Sequence, residues 1–265
     1  ADRFYEIVRT DGLERDRADE LLSAVAALER YPSRLAQILD TGVLRVGTTG
    51  DYAPFSFSGD DETFTGMDVD LAHDLAVALG VRLELIRTSW PTLIDDLLDG
   101  RYDVAMSGVS RTPARARVGY LSVPYFVGGK SAIARCEDKR RFKTLADIDQ
   151  PDVRIIVNPG GTNEAFVDEH VRQAQKVLHP DNRTIFTALA AGEADVMVTD
   201  NIEVLLQTQK NPGLCGTMGR TLTYQEKGYL MPRDADLKNF VDTWLELRLG
   251  DGTVNALLEK HLTAR

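Results

Sequence analysis

The feature that most constrains this chain is an internal echo. Leu97-Leu98-Asp99-Gly100-Arg101-Tyr102-Asp103-Val104-Ala105-Met106-Ser107 is repeated in kind by Leu189-Ala190-Ala191-Gly192-Glu193-Ala194-Asp195-Val196-Met197-Val198-Thr199. Each copy reads as a helix end, a glycine suited to the left-handed cap, then Asp-Val opening a strand that ends on a hydroxyl residue. Upstream of each copy lies another strand running into a glycine-bearing polar turn, Arg45–Asp51 and Ile155–Thr162. Two lobes with one wiring account for the pattern.

The surrounding periodicity agrees. Strands are expected at Val43–Thr48, Val81–Ile86, Asp103–Ser107, Arg154–Val157 and Asp195–Thr199. Between them, Met67, Leu71, Leu75 and Leu79 form the stripe of a helix, with further helices at Leu93–Leu98, Thr162–Arg172 and Thr184–Ala191. Such alternation predicts an α/β fold in which each lobe is a mostly parallel sheet flanked by helices. Ligands of open α/β sheets bind outside the carboxyl ends of the strands. Two lobes facing each other therefore make one cleft, lined by 48–52, 107–112, 158–164 and 199–201. Residues 1–31 read as an added helical segment ending at Tyr31-Pro32. Two readings stay open for its apolar stripes: packing on their own lobe, or docking a partner or a second copy in a homo-oligomer.

Composition removes several function classes. The 31 basic and 41 acidic residues leave a net charge of −10, against nucleic acid as a partner. No stretch approaches the roughly 18–20 apolar residues of a membrane span, so no membrane insertion is expected. His73, His170, His179 and His261 are scattered, so no metal site and no cofactor is expected. Neither Gly-x-Ser-x-Gly nor a recognisable Cys/His pair appears. Cys136 and Cys215 are compatible with one disulfide or with two buried thiols.

The motifs go further. Gly47-Thr48-Thr49-Gly50-Asp51-Tyr52-Ala53-Pro54-Phe55, Gly66-Met67-Asp68-Val69-Asp70-Leu71 and Ser107-Gly108-Val109-Ser110-Arg111-Thr112-Pro113-Ala114-Arg115 stand in the order and spacing of a known family. Residues 32–265 resemble the periplasmic solute-binding proteins for polar amino acids. Within that superfamily, Thr88–Leu93, Ile156–Glu164, His179-Pro180-Asp181-Asn182 and Glu226–Asp234 are most similar to the cyclohexadienyl dehydratases, secreted enzymes built on the binding-protein scaffold. The resemblance implies a two-lobed fold of the second binding-protein type with two hinge crossings. Lobe 1 would take residues 32–127 and 229–265, and lobe 2 residues 128–228. It also implies a Cys136–Cys215 disulfide, a periplasmic or secreted location, and prephenate or arogenate as the carboxylated substrate. The chain departs from the family in places: residues 1–31 have no counterpart, Ala114 replaces the usual Glu before the Arg, Val127-Gly128-Gly129-Lys130 matches the dehydratase hinge only in part, and Asn201 replaces a small residue and is expected to face the cleft.

Decarboxylating dehydration of prephenate needs carboxylate anchors and an acid at the leaving hydroxyl. Arg115, after the Ser110 and Thr112 turn, suits a bidentate grip on a carboxylate, its alternative being a solvated helical arginine. Gly161, Thr162 and Asn163 open a helix whose free N–H groups suit a second carboxylate, although Thr162 is equally a plain cap. Glu164 is the candidate general acid. The helix dipole there favours its ionised form, so the acid role depends on desolvation as the lobes close. Asp200 either meets a substrate ammonium or caps the helix that follows. Tyr52 and Trp90 sandwich a ring or pack in a core. Lys130 and Lys227, near the crossings, supply positive potential or are solvated. Ser107 and Asn158 complete the expected substrate-binding set.

Overall fold

The computed structural model describes residues 31–263 except residue 60, so the expected helices of the first thirty residues lie outside the described residues. In chain order the first lobe supplies β1 (Val43–Thr48), β2 (Asp51–Tyr52), β3 (Ser56–Ser58), β4 (Phe64–Thr65), β5 (Arg82–Arg87), β6 (Val104–Ala105) and β7 (Tyr120–Leu121). The chain crosses as β8 (Phe126–Gly128). It then builds the second lobe from β9 (Lys130–Arg135), β10 (Arg154–Val157), β11 (Gln175–Leu178), β12 (Val196–Asp200) and β13 (Leu214–Gly216). It returns as β14 (Gln225–Lys227) and re-enters the first sheet as β15 (Leu230–Met231).

The echo is a repeat of topology. The first sheet is ordered β5-β1-β6-β15-β7 and the second β11-β10-β12-β9-β13. In each, the strands joined by helices are parallel: β1 to β5 and β6, and β10 to β11 and β12. The other two strands of each sheet run antiparallel. The strand–helix alternation accounts for the parallel half alone. β9 and β15 are where the chain arrives from the opposite lobe, so no helical crossover dictates their direction. The crossings β8 and β14 pair with each other, antiparallel, as a two-stranded hinge.

The same side chains set both lobes. Gly100 and Gly192 have φ of 67° and 84°, the left-handed cap that a glycine allows. The following aspartates clamp the neighbouring strand. Asp103 accepts from the Arg45 N–H (2.8 Å) and guanidinium (2.7 Å), and Asp195 accepts from the Arg154 N–H (2.8 Å) and guanidinium (2.9 Å). Arg45 also donates to the Gly100 carbonyl and Arg154 to that of Gly192, tying the helix caps to β1 and β10.

The inner strands are covered on both faces, which is why Ile155–Val157 of β10 and Val196–Val198 of β12 are apolar without alternation. In β10, Ile155 and Val157 enter one core cluster and Ile156 the other; in β12, Val196 and Val198 oppose Met197 in the same way. In the first lobe, the helix Met67–Leu79 buries Met67, Leu71, Leu75 and Leu79 against Leu44 and Val46 of β1. β6 is shorter than the expected Asp103–Ser107 strand, because the chain after Ala105 leaves the ladder to build the cleft turn. A Cys136–Cys215 disulfide joins the end of β9 to β13.

Candidate functional site

At the carboxyl ends of the two sheets the lobes enclose a cavity of about 20 Å³, room for roughly one water. Its lining includes Tyr52, Trp90, Gly108 and Ser110 from the first lobe, and Asn158, Gly161, Thr162, Asn163, Asn182, Asp200 and Glu203 from the second. Lys227 of the hinge completes it. A ring-bearing ligand needs a few hundred Å³, so its entry requires the lobes to part.

On the first-lobe side the lining itself is uncharged, with the Arg115 guanidinium and the carboxylates of Asp51 and Asp68 behind it. Ser107 accepts from the Thr49 N–H at 3.1 Å and shares hydroxyl bonds with Thr49 Oγ1 (2.8 Å) and Ser56. It therefore fixes the loop after β1 and does not line the cavity. Thr112 also stands off it: its hydroxyl accepts from the Arg115 N–H at 3.2 Å and caps the turn Pro113–Ala116. That cap aims Arg115 inward, where its side chain is 9% exposed. Nη1 donates to the Ser110 carbonyl at 2.8 Å, and the guanidinium lies 5.9 Å from the centroid of the Trp90 ring. No carboxylate among the described residues pairs with it. Burial pulls its pKa down to about 10, so it is still positive at neutral pH. The solvated alternative does not apply.

Trp90 donates its indole N–H to Asp51 at 3.0 Å, and Tyr52 meets it edge-on with centroids 5.8 Å apart. Gly108, at φ 64°, lies so close to Tyr52 that a Cβ there would fall 2.6 Å from the ring. The Gly108 N–H donates to the buried carboxylate of Asp68 at 2.6 Å. Asp68 also accepts from Tyr125 and Tyr229, and burial raises its pKa to about 6.

The second-lobe side is charged and buried. Burial alone would raise the Asp200 pKa, but Lys227 at 2.6 Å and Lys130 at 2.8 Å override it and hold this carboxyl far below the usual range. Tyr52 donates a third bond to Asp200 from across the cleft. Asp200 makes no side-chain cap to the following helix Asn201–Lys210, so the capping alternative fails, and both lysines are buried rather than solvated. Lys130 also donates to Thr162 at 2.9 Å and to Asn163. Asn163 in turn donates to Asn158 and Thr199, each at 3.2 Å. Lys227 reaches Ser110 at 2.9 Å and so bridges the lobes.

Besides Ser107 and Thr112, the expected Arg115 and Lys130 stand behind the lining rather than in it, and two further expected residues lie elsewhere. Glu164 is absent from the cavity lining: its carboxylate accepts from the Gly160 N–H at 2.8 Å and pairs with Lys176 at 3.2 Å. Asn201 does not face the cleft, because its side-chain oxygen accepts from the Gly129 N–H at 3.1 Å and ties the helix start to the hinge. Two lining residues carried no expectation. Asn182 donates to the Asp51 carbonyl at 2.9 Å across the lobes, and its Oδ1 is buried without a partner. Glu203 is 2% exposed and bonded to Thr199. Its position three after Asp200, one helical turn on and facing the same way, was a readable signal.

Comparison with known proteins fits this architecture. Residues 44–264 match the model of the bacterial extracellular solute-binding proteins, family 3. The chain belongs to this family. It is 46% identical over 245 residues to a cyclohexadienyl dehydratase of Pseudomonas aeruginosa, covering 92% of this chain and 91% of that protein. It is 30% identical to the L-cystine-binding protein TcyJ of Escherichia coli, covering 87% and 86%. Among solved structures, an ancestral amino acid-binding protein described as a precursor of cyclohexadienyl dehydratase matches with TM-score 0.80 and 33% identity, covering 87% of this chain and all of that one. An ancestral cyclohexadienyl dehydratase matches with TM-score 0.55 and 46% identity, covering 88% and 97%.

Proposed function

We propose that this family member is a periplasmic or secreted cyclohexadienyl dehydratase, converting prephenate to phenylpyruvate and arogenate to phenylalanine. The observation that carries the reading is the state of Asp200. An amino-acid binder wants a free carboxylate for the substrate ammonium, and here two buried lysines and a tyrosine already occupy it, which suits prephenate directly and arogenate only if its ammonium displaces one of them. Arg115, buried with no carboxylate of its own, is left to grip one from a ligand. The similarity to the Pseudomonas dehydratase supports the same reading, and the disulfide suits an oxidising compartment.

The reaction then follows from the residues. Arg115 holds one carboxylate of prephenate, and the helix start at Gly161–Asn163 with Lys130 and Lys227 offers positive potential to the other. Trp90 and Tyr52 flank the ring. Glu164, released from Lys176 and the Gly160 N–H, donates its proton to the ring hydroxyl. The C–O bond breaks and water leaves. The bond to the ring carboxylate breaks at the other end, carbon dioxide departs, and its electron pair completes the aromatic ring. Glu164 is left as a carboxylate and regains a proton from solvent. A positioned acid of this kind contributes about 10²–10⁴-fold.

One observation favours a second reading, a transport binding protein without chemistry: Glu164 is engaged by Lys176 and points away from the cavity. Formation of phenylpyruvate from prephenate, followed by absorbance at neutral pH, separates the two. Turnover by the wild type, falling at least about a hundredfold in Glu164→Gln with binding retained, is expected. An inert wild type that instead binds an amino acid tightly overturns the proposal.

A further inference from the structure

Glu203 is a carboxyl group that the reaction above does not use, and its surroundings are unusual. It lines the ligand cavity and also a second cavity of about 240 Å³ shared with Asp51 and Asn182. Its side chain is 2% exposed and forms no ion pair among the described residues; its hydrogen-bond partner is the Thr199 hydroxyl. The charged groups acting on it are Asp200, whose charge is fixed by two lysines, Lys130 behind Asp200, and Asp51 across the lobe boundary. A buried carboxylate without an ion-pair partner, beside two others, is strongly disfavoured. Burial pushes the Glu203 pKa up to about 8, against the opposing pull of Thr199.

The charge count makes this consequential. Lys227 in the lining, with Lys130 and Arg115 behind it, stands against Asp200, an excess of two positive charges, or of one with Asp51 at the rim included. An ionised Glu203 would cancel what remains. We infer that Glu203 determines the charge class of the ligand: uncharged, it leaves the cavity positive and receptive to a dicarboxylate, and its ionisation shuts such ligands out. The inference rests on the dehydratase reading only for the identity of the dicarboxylate. Thr199 and Asn163 connect Glu203 to the helix start that would receive the second carboxylate, so its charge is felt where that ligand charge sits.

Two measurements test it. In the ligand-free protein, the infrared difference between wild type and Glu203→Gln at pH 7 should contain the carbonyl band of a protonated carboxyl, lost on titration through about pH 8. A carboxylate signature at pH 7 overturns the inference. Prephenate affinity is then followed by calorimetry from pH 7 to 9.5 in a Glu164→Gln background that prevents turnover. With Glu203 present, affinity should weaken about tenfold or more across that range. With Glu203→Gln it should match at pH 7 and lose that dependence; equal slopes in both overturn the inference. Phenylmalonate serves as a second dicarboxylate probe. If it shows the slope difference while prephenate fails to bind, the dehydratase reading falls and the inference stands. Binding of neither overturns both. Should Glu203→Gln not fold, proton uptake on phenylmalonate binding to the wild type near pH 8.5 replaces it, and zero uptake overturns the inference.

Discussion

At the carboxyl end of β6 stands Ser107, bonded to the hydroxyls of Thr49 and Ser56. At the matching end of β12 stands Thr199, followed at once by Asp200 and its two lysines. The sheets share an order, a glycine cap and an Arg–Asp clamp, so the difference does not come from the fold. It comes from a few residues placed where the strands stop. Lobe 1 offers aromatic shape and one guanidinium, whereas lobe 2 offers a compact set of buried charges. Binding and chemistry on such a scaffold are therefore set at strand ends, while the repeated interior holds them in register.

The comparison can be broken most severely at the shared lysine. Lys227→Met removes one of two cations from a buried carboxylate, and leaving a buried charge short of its partner costs about 3–5 kcal/mol. Chemical denaturation should show that loss, and ligand affinity should fall with it. Removing the disulfide with the Cys136→Ser, Cys215→Ser pair acts on lobe 2 alone. The crosslink spans 79 residues, for which loop-closure entropy predicts about 4.5 kcal/mol, and removal of native disulfides costs about 2–5 kcal/mol. Hydrogen exchange should loosen in β9 and β13 and leave β1 and β5 unchanged. Arg115→Lys probes lobe 1 in isolation. It keeps the charge but forfeits the bidentate grip, so KM for prephenate should rise about ten- to a hundredfold, roughly 1.4–2.7 kcal/mol, with folding stability little altered.

A last test sharpens the contrast through pH. Glu203 and Asp68 have folded-state pKa values raised to about 8 and about 6 by burial. Each binds its proton more tightly folded than unfolded, so each stabilises the fold at low pH and loses that contribution as pH rises. For Glu203 the loss runs from its unfolded pKa, about 4.5, to about 8. Asp200 works in the opposite sense, contributing above its unfolded pKa and losing that contribution only in strong acid. Melting temperatures of wild type and Glu203→Gln should therefore diverge as pH rises across that window, with the wild type falling. Parallel curves would mean that Glu203 keeps its ordinary pKa.

The wiring of both lobes was legible in the sequence because it is written in local signals: a cap glycine, an Asp-Val strand start, helical stripes. Arg115, Asp200 and the turn at Gly161–Asn163 were legible as positions for the same reason, sitting at strand ends and helix starts. What was not legible is whatever depends on residues far apart in the chain. Lys227 and Asp200 lie 27 residues apart, and nothing local pairs them. The antiparallel half of each sheet arises from strands arriving across the hinge. Asn201 was expected in the cleft and instead bonds Gly129, because the helix that it opens begins beside the crossing. Glu164 was placed by its helix, but its direction was set by Lys176 on β11.

Tyr52 reaches across the cleft to Asp200, and Asn182 reaches back to the carbonyl of Asp51. With only about 20 Å³ between the lobes, these bonds act as an internal competitor for any incoming molecule. Binding is thus an exchange: the ligand trades places with the Tyr52 hydroxyl and loosens Asn182. Its measured affinity is the difference between two sets of contacts. The frequency with which the lobes release each other sets the upper limit on how fast any ligand can enter.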